Sequence, residues 1–109
     1  MVLVASQQST VDSILSQIQD AGHVSAKKMF GEYGIFVDGK MAAIVGDDQL
    51  FVKITAGGAA LVGECDEVPP YPGAKPCFLV PQSRWQDSEW MTQLFRVTAE
   101  ELPEPKKKK

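Results

Sequence analysis

The sequence predicts an α+β fold, a two-layer sandwich in which helices pack on an antiparallel sheet of about five strands. Amphipathic helical patterns lie near both ends of the chain, and apolar residues alternate with a period of two between residues 33 and 54. The 109 residues, of which 44% are hydrophobic and 23% charged, have the size and composition of one compact domain. We expect the order helix, three strands, helix, two strands, helix.

The first helix is predicted over residues 10–21. Ser9 followed by Asp12 is the pattern of an N-cap with a capping box, since their side-chain oxygens accept hydrogen bonds from amides that a first helical turn leaves unpaired. Gly22 is the residue type that ends a helix in a left-handed conformation. Between them lies one apolar stripe at helical spacing, formed by Val11, Ile14, Leu15, Ile18 and Ala21.

Three strands of a meander are predicted after this helix. The first runs through Tyr33, Ile35 and Val37, and the Asp38-Gly39 pair that follows has the composition of a tight type I′ turn. The next two strands lie in "KMAAIVG" and "QLFVKIT", with a turn at residues 46–48. Their alternation predicts a shared face formed by Met41, Ala43, Val45, Leu50, Val52 and Ile54.

The stretch "KKMFGEYGIFVDGK" at residues 27–40 contains three glycines but lacks the pattern of a phosphate-binding loop. Such a loop places its glycines between a strand and the N-terminus of a helix. Here the glycines precede and join strands. We therefore interpret Gly31 and Gly34 as backbone-permissive or close-packing positions.

A short helix, two strands and a final helix are predicted in the second half of the chain. The helix at residues 56–64 begins with two glycines, which cost less in a first turn than in a helix interior. Five prolines in residues 67–81 limit that segment to a short edge strand at 68–71 and a better strand at 77–80. Asp87 is the expected N-cap of the final helix. Its apolar stripe is formed by Met91, Leu94, Phe95, Thr98 and Leu102.

No catalytic or metal-binding constellation is recognisable in the sequence. His23 is the one histidine, and its position after a helix-ending glycine favours a helix-end or surface role over a catalytic one. Cys65 and Cys77 lack the close pairing of a structural zinc site, and we interpret them as free thiols. The acidic residues at 47–48 and 64–67 lack the ligand spacing of a calcium loop. We therefore expect a non-enzymatic protein with no cofactor and no metal.

The charge is distributed unevenly along the chain. The net charge is −3, but four of the 11 basic residues are Lys106, Lys107, Lys108 and Lys109, which leaves seven basic against 14 acidic residues elsewhere. We expect a domain over residues 1–105 and a disordered basic tail over residues 106–109. The apolar run at the N-terminus lacks the basic flank of a signal peptide, and no run is long enough to span a membrane. We expect a cytoplasmic protein without a membrane partner.

Two tryptophans are candidates for anchoring a partner, because tryptophan is enriched at binding hot spots. Trp90 adjoins the apolar stripe of the final helix, and we assign it to the core. Trp85 precedes that helix, where it either fixes the entry of the chain into the helix or contacts a partner, and the pattern favours the first. The candidate partner contacts are Lys27, Lys28, Arg84 and Trp85.

Residues 27–54, "KKMFGEYGIFVDGKMAAIVGDDQLFVKI", together with "YPGAKPCFLVP" downstream, closely resemble the N-terminal domain of the TfoX/Sxy family of bacterial competence regulators. The Met-Phe-Gly-x-x-Gly opening, the Asp-Gly turn and the Leu-Phe-Val-Lys strand carry the resemblance, which extends over residues 10–102. The resemblance implies a secretion-chaperone-like sandwich. It also implies that full-length members help to switch on competence genes with the cyclic-AMP receptor protein and carry a second, helical C-terminal domain. We expect this chain to be a stand-alone N-terminal domain.

Three classes of function remain open at this point. The first is a regulatory or adaptor module that acts through protein contacts, linked to transcription or competence, which the resemblance favours. The second is a small-molecule-binding protein or enzyme, because motifs do not reveal an apolar pocket. The third is weak, non-specific DNA binding through phosphate contacts of residues 106–109, without specific nucleic-acid recognition. We also expect a homodimer that pairs through an exposed sheet edge, as the resemblance implies.

Overall fold

The computed structural model of the chain describes residues 8–29, 32–70 and 72–102. Within these residues, six strands form one antiparallel sheet, accompanied by three α-helices. The helices are α1 (Gln8–Gln17), α2 (Ala56–Val62) and α3 (Ser88–Glu101). The strands are β1 (Val24–Met29), β2 (Glu32–Val37), β3 (Lys40–Gly46), β4 (Gln49–Val52), β5 (Glu67–Val68) and β6 (Cys77–Val80). Short 3₁₀ helices at Gln19–Ala21 and Gln82–Arg84 follow α1 and β6.

The sheet has the spatial order β1-β2-β3-β4-β6-β5, and every neighbouring pair is antiparallel. The first four strands form a meander joined by short turns. The chain then passes through α2 and β5 before β6 returns to pair with β4. The predicted α+β class with an antiparallel sheet is confirmed, and the number of described strands is corrected from about five to six.

The strand that the sequence pattern did not predict is β1. It pairs with β2 along its whole length, from Val24 opposite Val37 to Met29 opposite Glu32. Val24 and Ala26 pack against the core, and the two lysines that follow are exposed. Two small apolar residues give a weak period-2 signal, so pairing with β2 rather than local propensity determines this strand.

The first helix differs from the prediction at its beginning. α1 already includes Gln8 and Ser9, so the predicted N-cap at Ser9 is wrong. The Asp12 carboxylate instead accepts a 3.0 Å hydrogen bond from the Gln8 side chain, an i, i+4 pair that stabilises the first turn from within. The helical segment ends as predicted, with a 3₁₀ turn up to Ala21 and then Gly22. Gly22 has a φ of 148°, which side-chain-bearing residues rarely adopt.

The predicted turns and the last helix are confirmed. Asp38 and Gly39 have φ values of 52° and 83°, as a type I′ turn requires. The Asp87 carboxylate accepts a 3.1 Å hydrogen bond from the N–H of Trp90 and so caps α3. The predicted second helix is present but ends at Val62 rather than at residue 64.

The core lies between the helices and one face of the sheet. The apolar stripes of α1 and α3 are buried there against alternate residues of β2, β3 and β4. We call the other face of the sheet the helix-free face. The largest fully buried core side chains are Phe95, Ile14, Ile18, Ile35, Leu50, Met91, Leu94, Val11, Val37, Val45, Val52 and Val80.

A β-bulge at Ala42 divides β3 between the two faces. Consecutive residues of β2 pair with Ala43 and Met41, so Ala42 has no partner of its own. Ala43 and Val45 are buried in the core, as predicted. Met41 instead shares a groove on the helix-free face with Ile44, so its predicted position is wrong. The extra residue reverses the alternation that the sequence pattern assumed.

The proline-rich segment 67–76, of which the structure describes residues 67–70 and 72–76, lies on the helix-free face. Ile44 and Phe51 pair across β3 and β4 on this face, yet they are only 5% and 4% exposed. Phe51 adjoins Val68 and the prolines at 69, 70 and 72, and Ile44 adjoins the prolines at 70 and 76. The segment therefore acts as a cover for the centre of the sheet. Ile54, predicted to share the buried face, lies beyond the end of β4 and is 41% exposed.

The predicted edge strand at 68–71 is shorter and begins earlier. β5 consists of Glu67 and Val68, which pair with Phe78 and Cys77. The two prolines that follow have no N–H to donate, so the ladder stops there. Residue 71 lies outside the described residues, as do Gly31 and the predicted tail at residues 106–109.

Candidate functional site

A groove opens on the helix-free face of the sheet, where α3 ends. It has a volume of about 550 Å³. β3 and β6 contribute to it, together with the segment 67–76 and the residues that directly follow β4 and α3. We call it the apolar groove. It is lined by Met41, Ile44, Lys53, Ile54, Pro70, Ala74, Lys75, Pro76, Cys77 and Leu102.

Ile54 is the most exposed large apolar side chain of this groove. Among the described residues it is the one large hydrophobic side chain that is exposed, at 41%. Its backbone is fixed on both sides. The backbone N–H of Lys53 donates a 2.9 Å hydrogen bond to the carbonyl oxygen of Ala42, and Thr55 is the N-cap of α2. An exposed apolar side chain on a fixed backbone loses little conformational entropy when a partner covers it.

Met41 and Leu102 reach the same groove through two other features of the fold. The bulge at Ala42 turns Met41 to the helix-free face. Leu102 ends α3, where its N–H donates to the carbonyl oxygens of Thr98 and Ala99 at 3.1 and 3.3 Å. Three separate parts of the chain thus bring apolar side chains into one groove.

The charged residues that line the apolar groove have a single sign. Of the ten described residues that line it, two are lysines, Lys53 and Lys75, and none is acidic. Burial raises the pKa of the Cys77 thiol in this groove, and the ammonium group of Lys53 opposes that rise. The positive field of Lys53 therefore reaches the groove, although the chain as a whole carries a net charge of −3.

A second cleft, which we call the polar cleft, has a volume of about 950 Å³ and lies near the end of α2. Four carboxylates contribute to it, those of Asp48, Glu64, Asp66 and Glu67. The described residues contain no cluster of three or more histidine, cysteine or acidic side chains that could hold a metal ion. These carboxylates give the polar cleft a negative charge along part of its lining.

Arg84 and Trp85 line the polar cleft, and Arg84 also stacks on Trp90. Arg84 donates a 3.3 Å hydrogen bond to the carbonyl oxygen of Val62, and its guanidinium lies 3.8 Å from the centre of the Trp90 ring. Trp85 is 4% exposed and donates to the carbonyl oxygen of Val80 at 3.2 Å. Trp85 thus lies in the core and Trp90 packs against it, which is the position that the sequence pattern favoured for Trp90.

Cys65 lies in the same cleft and is held as a neutral thiol. Its Sγ donates to the carbonyl oxygen of Leu79 at 3.3 Å. Burial raises the pKa of Cys65, the Asp66 and Glu67 carboxylates raise it further, and Arg84 opposes them. A thiolate is the reactive form of cysteine, so this environment favours an inert thiol.

The structure does not bring the predicted partner contacts together. Lys27 and Lys28 are exposed on β1, at one edge of the sheet. Arg84 and Trp85 follow β6, and three strands separate β6 from β1. Sequence reasoning missed the apolar groove. The one local signal was Ile54, an apolar residue placed beyond the last paired residue of β4.

His23 has a structural role through its backbone. Its N–H donates a 2.9 Å hydrogen bond to the Asp38 carboxylate, and its carbonyl oxygen accepts a 2.8 Å hydrogen bond from the Asp38 N–H. The side chain is exposed, as expected for a surface histidine.

Over the stretch that the structure describes, none of the helices has the length and apolar character needed to cross a membrane.

The chain thus forms a two-layer α+β domain with an apolar groove and a polar cleft. The family description "TfoX N-terminal domain" matches residues 16–102, which is most of the chain, and the chain belongs to this family. It is also similar to an uncharacterized 12.7 kDa protein in the trpE 5′ region of Spirochaeta aurantia. The two sequences are 31% identical over 106 residues, which cover 97% of this chain and 91% of that protein.

Proposed function

We propose that this chain is a non-enzymatic regulatory or adaptor module that acts in the cytoplasm through protein contacts, with a link to the regulation of transcription or competence. Membership of the TfoX N-terminal domain family supports the regulatory part of this proposal. The environment of Cys65, which favours the neutral thiol, supports a module without chemistry of its own.

The observation that carries the proposal is the apolar groove. Ile54 is 41% exposed within a groove that also contains Met41 and Leu102, and contiguous apolar surface of this kind, rather than a single exposed side chain, indicates a contact site. A partner side chain placed there would remove all three from water. Burial of one large apolar side chain stabilises a complex by about 1.5–3 kcal/mol before entropic costs.

The test is capture of partners from the native cells with a tagged chain and one surface variant. Ile54→Asp places a charge in the groove, and because Ile54 is already half exposed, folding should be unaffected. Gln93→Glu is the control, since it adds the same charge at an exposed position of α3. We expect at least one protein to be captured by the wild type and the control but not by Ile54→Asp. No enrichment in several growth states would contradict the proposal.

The regulatory link has a separate test. Transcript profiles of a deletion strain, and of a strain that carries only the Ile54→Asp protein, should change in the same set of genes if groove contacts carry the function. A deletion profile indistinguishable from the wild type, in all growth states sampled, would remove transcription and competence from the proposal while the protein contact itself could still stand.

The second candidate is binding of a small molecule in the polar cleft. Its volume of about 950 Å³ and the partly exposed Arg84 favour this alternative. A thermal-shift screen of metabolites and nucleotides decides it, because a ligand at about 100 times its dissociation constant adds about 2.7 kcal/mol to stability. A ligand whose shift disappears in Arg84→Ala would promote the cleft over the groove.

Self-association through β1 is the further part of the proposal. No described strand pairs with β1 on its outer side. The backbone N–H of Asp38 donates to the carbonyl oxygen of His23, in register with the β1–β2 ladder. Hydrogen-bonded and non-hydrogen-bonded pairs alternate in an antiparallel ladder. The backbone groups of Val24, Ala26 and Lys28 therefore point away from β2, toward the open edge. A second copy could pair there. Sedimentation at micromolar concentration should show a dimer, and a clean monomer would contradict it.

A further inference from the structure

We infer that the apolar groove binds an extended acidic segment of another protein, in which an apolar residue lies between carboxylates. This inference rests on the proposed function and specifies the chemistry of the partner. It follows from the shape of the groove and from the sign of the charged residues that line it.

The shape of the groove favours an inserted side chain. The exposed Ile54, together with Met41, Ile44 and Leu102, presents an apolar surface, while the prolines at 70 and 76 border it. Prolines lose little conformational freedom on binding, because their φ angle is already fixed. A concave surface of about 550 Å³ therefore accepts a few apolar side chains of an incoming segment.

The charge around the groove selects acidic neighbours for that side chain. Lys53 and Lys75 line the groove, and no acidic residue is among its ten described lining residues. A partner with carboxylates on both sides of its apolar residue matches these two cations.

The same charges disfavour two other occupants. Pairing of the groove with the groove of a second copy would bring Lys53 and Lys75 of both copies to one interface, where like charges repel. The chain's own residues 103–109, "PEPKKKK", carry four lysines and one glutamate, so they have the same sign as the groove. An acidic partner segment remains as the occupant with complementary charge.

The experiment is selection from a displayed library of random nine-residue peptides against the wild-type protein. We expect enriched peptides to share an apolar residue flanked by Asp or Glu. For an enriched peptide, Ile54→Asp should weaken binding by at least about tenfold, through lost apolar contact and added repulsion. Lys53→Gln combined with Lys75→Gln should weaken it about two- to tenfold. Gln93→Glu, at an exposed position of α3 outside the groove, is the matched control and should change nothing.

Several results would overturn the inference. The selection could enrich no peptide, or it could enrich neutral or basic peptides. Ile54→Asp could bind an enriched peptide as tightly as the wild type does. The wild type could also be a dimer that Ile54→Asp converts to a monomer, which would make a second copy the occupant. The inference and the proposed function fail separately. Cellular capture that depends on Ile54 but yields a basic partner segment would retain the function and reject the inference. Selection of acidic peptides without any cellular partner would do the reverse.

Discussion

Two buried threonines on either side of Gly58 should respond in opposite directions to the same substitution. Thr55 is the N-cap of α2, and its Oγ1 accepts a 3.0 Å hydrogen bond from the N–H of Gly58. Thr98 lies on α3, is fully buried, and its Oγ1 has no hydrogen-bond partner. Valine has nearly the shape of threonine and a similar helix propensity, so Thr→Val isolates the hydroxyl at each position.

The magnitudes follow from the state of each hydroxyl. Thr55→Val removes an N-cap and leaves the buried N–H of Gly58 unpaired, which should lower the free energy of unfolding by about 1–2 kcal/mol. Thr98→Val replaces a buried hydroxyl without a partner by a methyl group, which should raise the free energy of unfolding by about 1 kcal/mol.

Urea denaturation followed by circular dichroism measures both effects. With a slope of about 1–3 kcal/mol/M for a small domain, the two variants should differ in midpoint by about 1 M, on opposite sides of the wild type. Thr98→Ser, which keeps the hydroxyl but removes the methyl group, is the control and should destabilise. A lower midpoint for Thr98→Val, or shifts of both valine variants in one direction, would refute the reasoning.

Four further predictions concern packing, a cation–π contact, thiol chemistry and the C-terminal lysines. Gly57→Ala should lower the free energy of unfolding by about 1–3 kcal/mol, because its Cβ would overlap the Val97 and Glu101 side chains, although alanine favours helices. An unchanged urea midpoint would contradict this. Arg84→Ala should lower the free energy of unfolding by about 1–2 kcal/mol, and Arg84→Lys should restore less than half of that loss. Only a planar guanidinium can stack on Trp90 while it donates to the carbonyl oxygen of Val62. Because burial raises the pKa of Cys65 and Cys77, iodoacetamide should modify both more slowly in the native protein than in urea. Equal alkylation rates in the native protein and in urea, measured by mass spectrometry, would refute this. The stability linked to these raised pKa values should be present below pH about 8.5 and be lost as the pH rises through the native pKa values. DNA binding in gel shifts, where seen at low salt, should be sequence-independent, have a log-log salt slope of about −3.6 and disappear on deletion of residues 106–109; sequence-selective binding by the shortened chain would contradict it.

The sequence alone predicted only part of the candidate site. Arg84 and Trp85 were singled out from sequence, and the structure places them in the polar cleft with their polar groups bonded to backbone carbonyls. The apolar groove was not predicted. Its residues come from four parts of the chain that are distant in sequence, and no local pattern brings Met41 and Leu102 together.

The sequence by itself determined the elements whose signals are local. The Asp38-Gly39 turn depends on residues that tolerate positive φ, and α3 depends on the Asp87 cap and an apolar stripe within fourteen residues. The family could be recognised for the same reason, because its motifs are short and contiguous. In each case the physical cause acts over a few neighbouring residues, so the printed sequence contains it.

Only the tertiary structure decided the features that depend on pairing between distant segments. β1 is a strand because β2 pairs with it, and the bulge at Ala42 sends Met41 to the helix-free face. Ile54 is exposed because the ladder of β4 ends at Val52 and α2 begins at Ala56. The segment 67–76 covers Phe51 only because β6 returns to the edge of the meander. The free energy of these arrangements comes from contacts between residues far apart in sequence, and a periodicity of two or 3.6 carries no information about them.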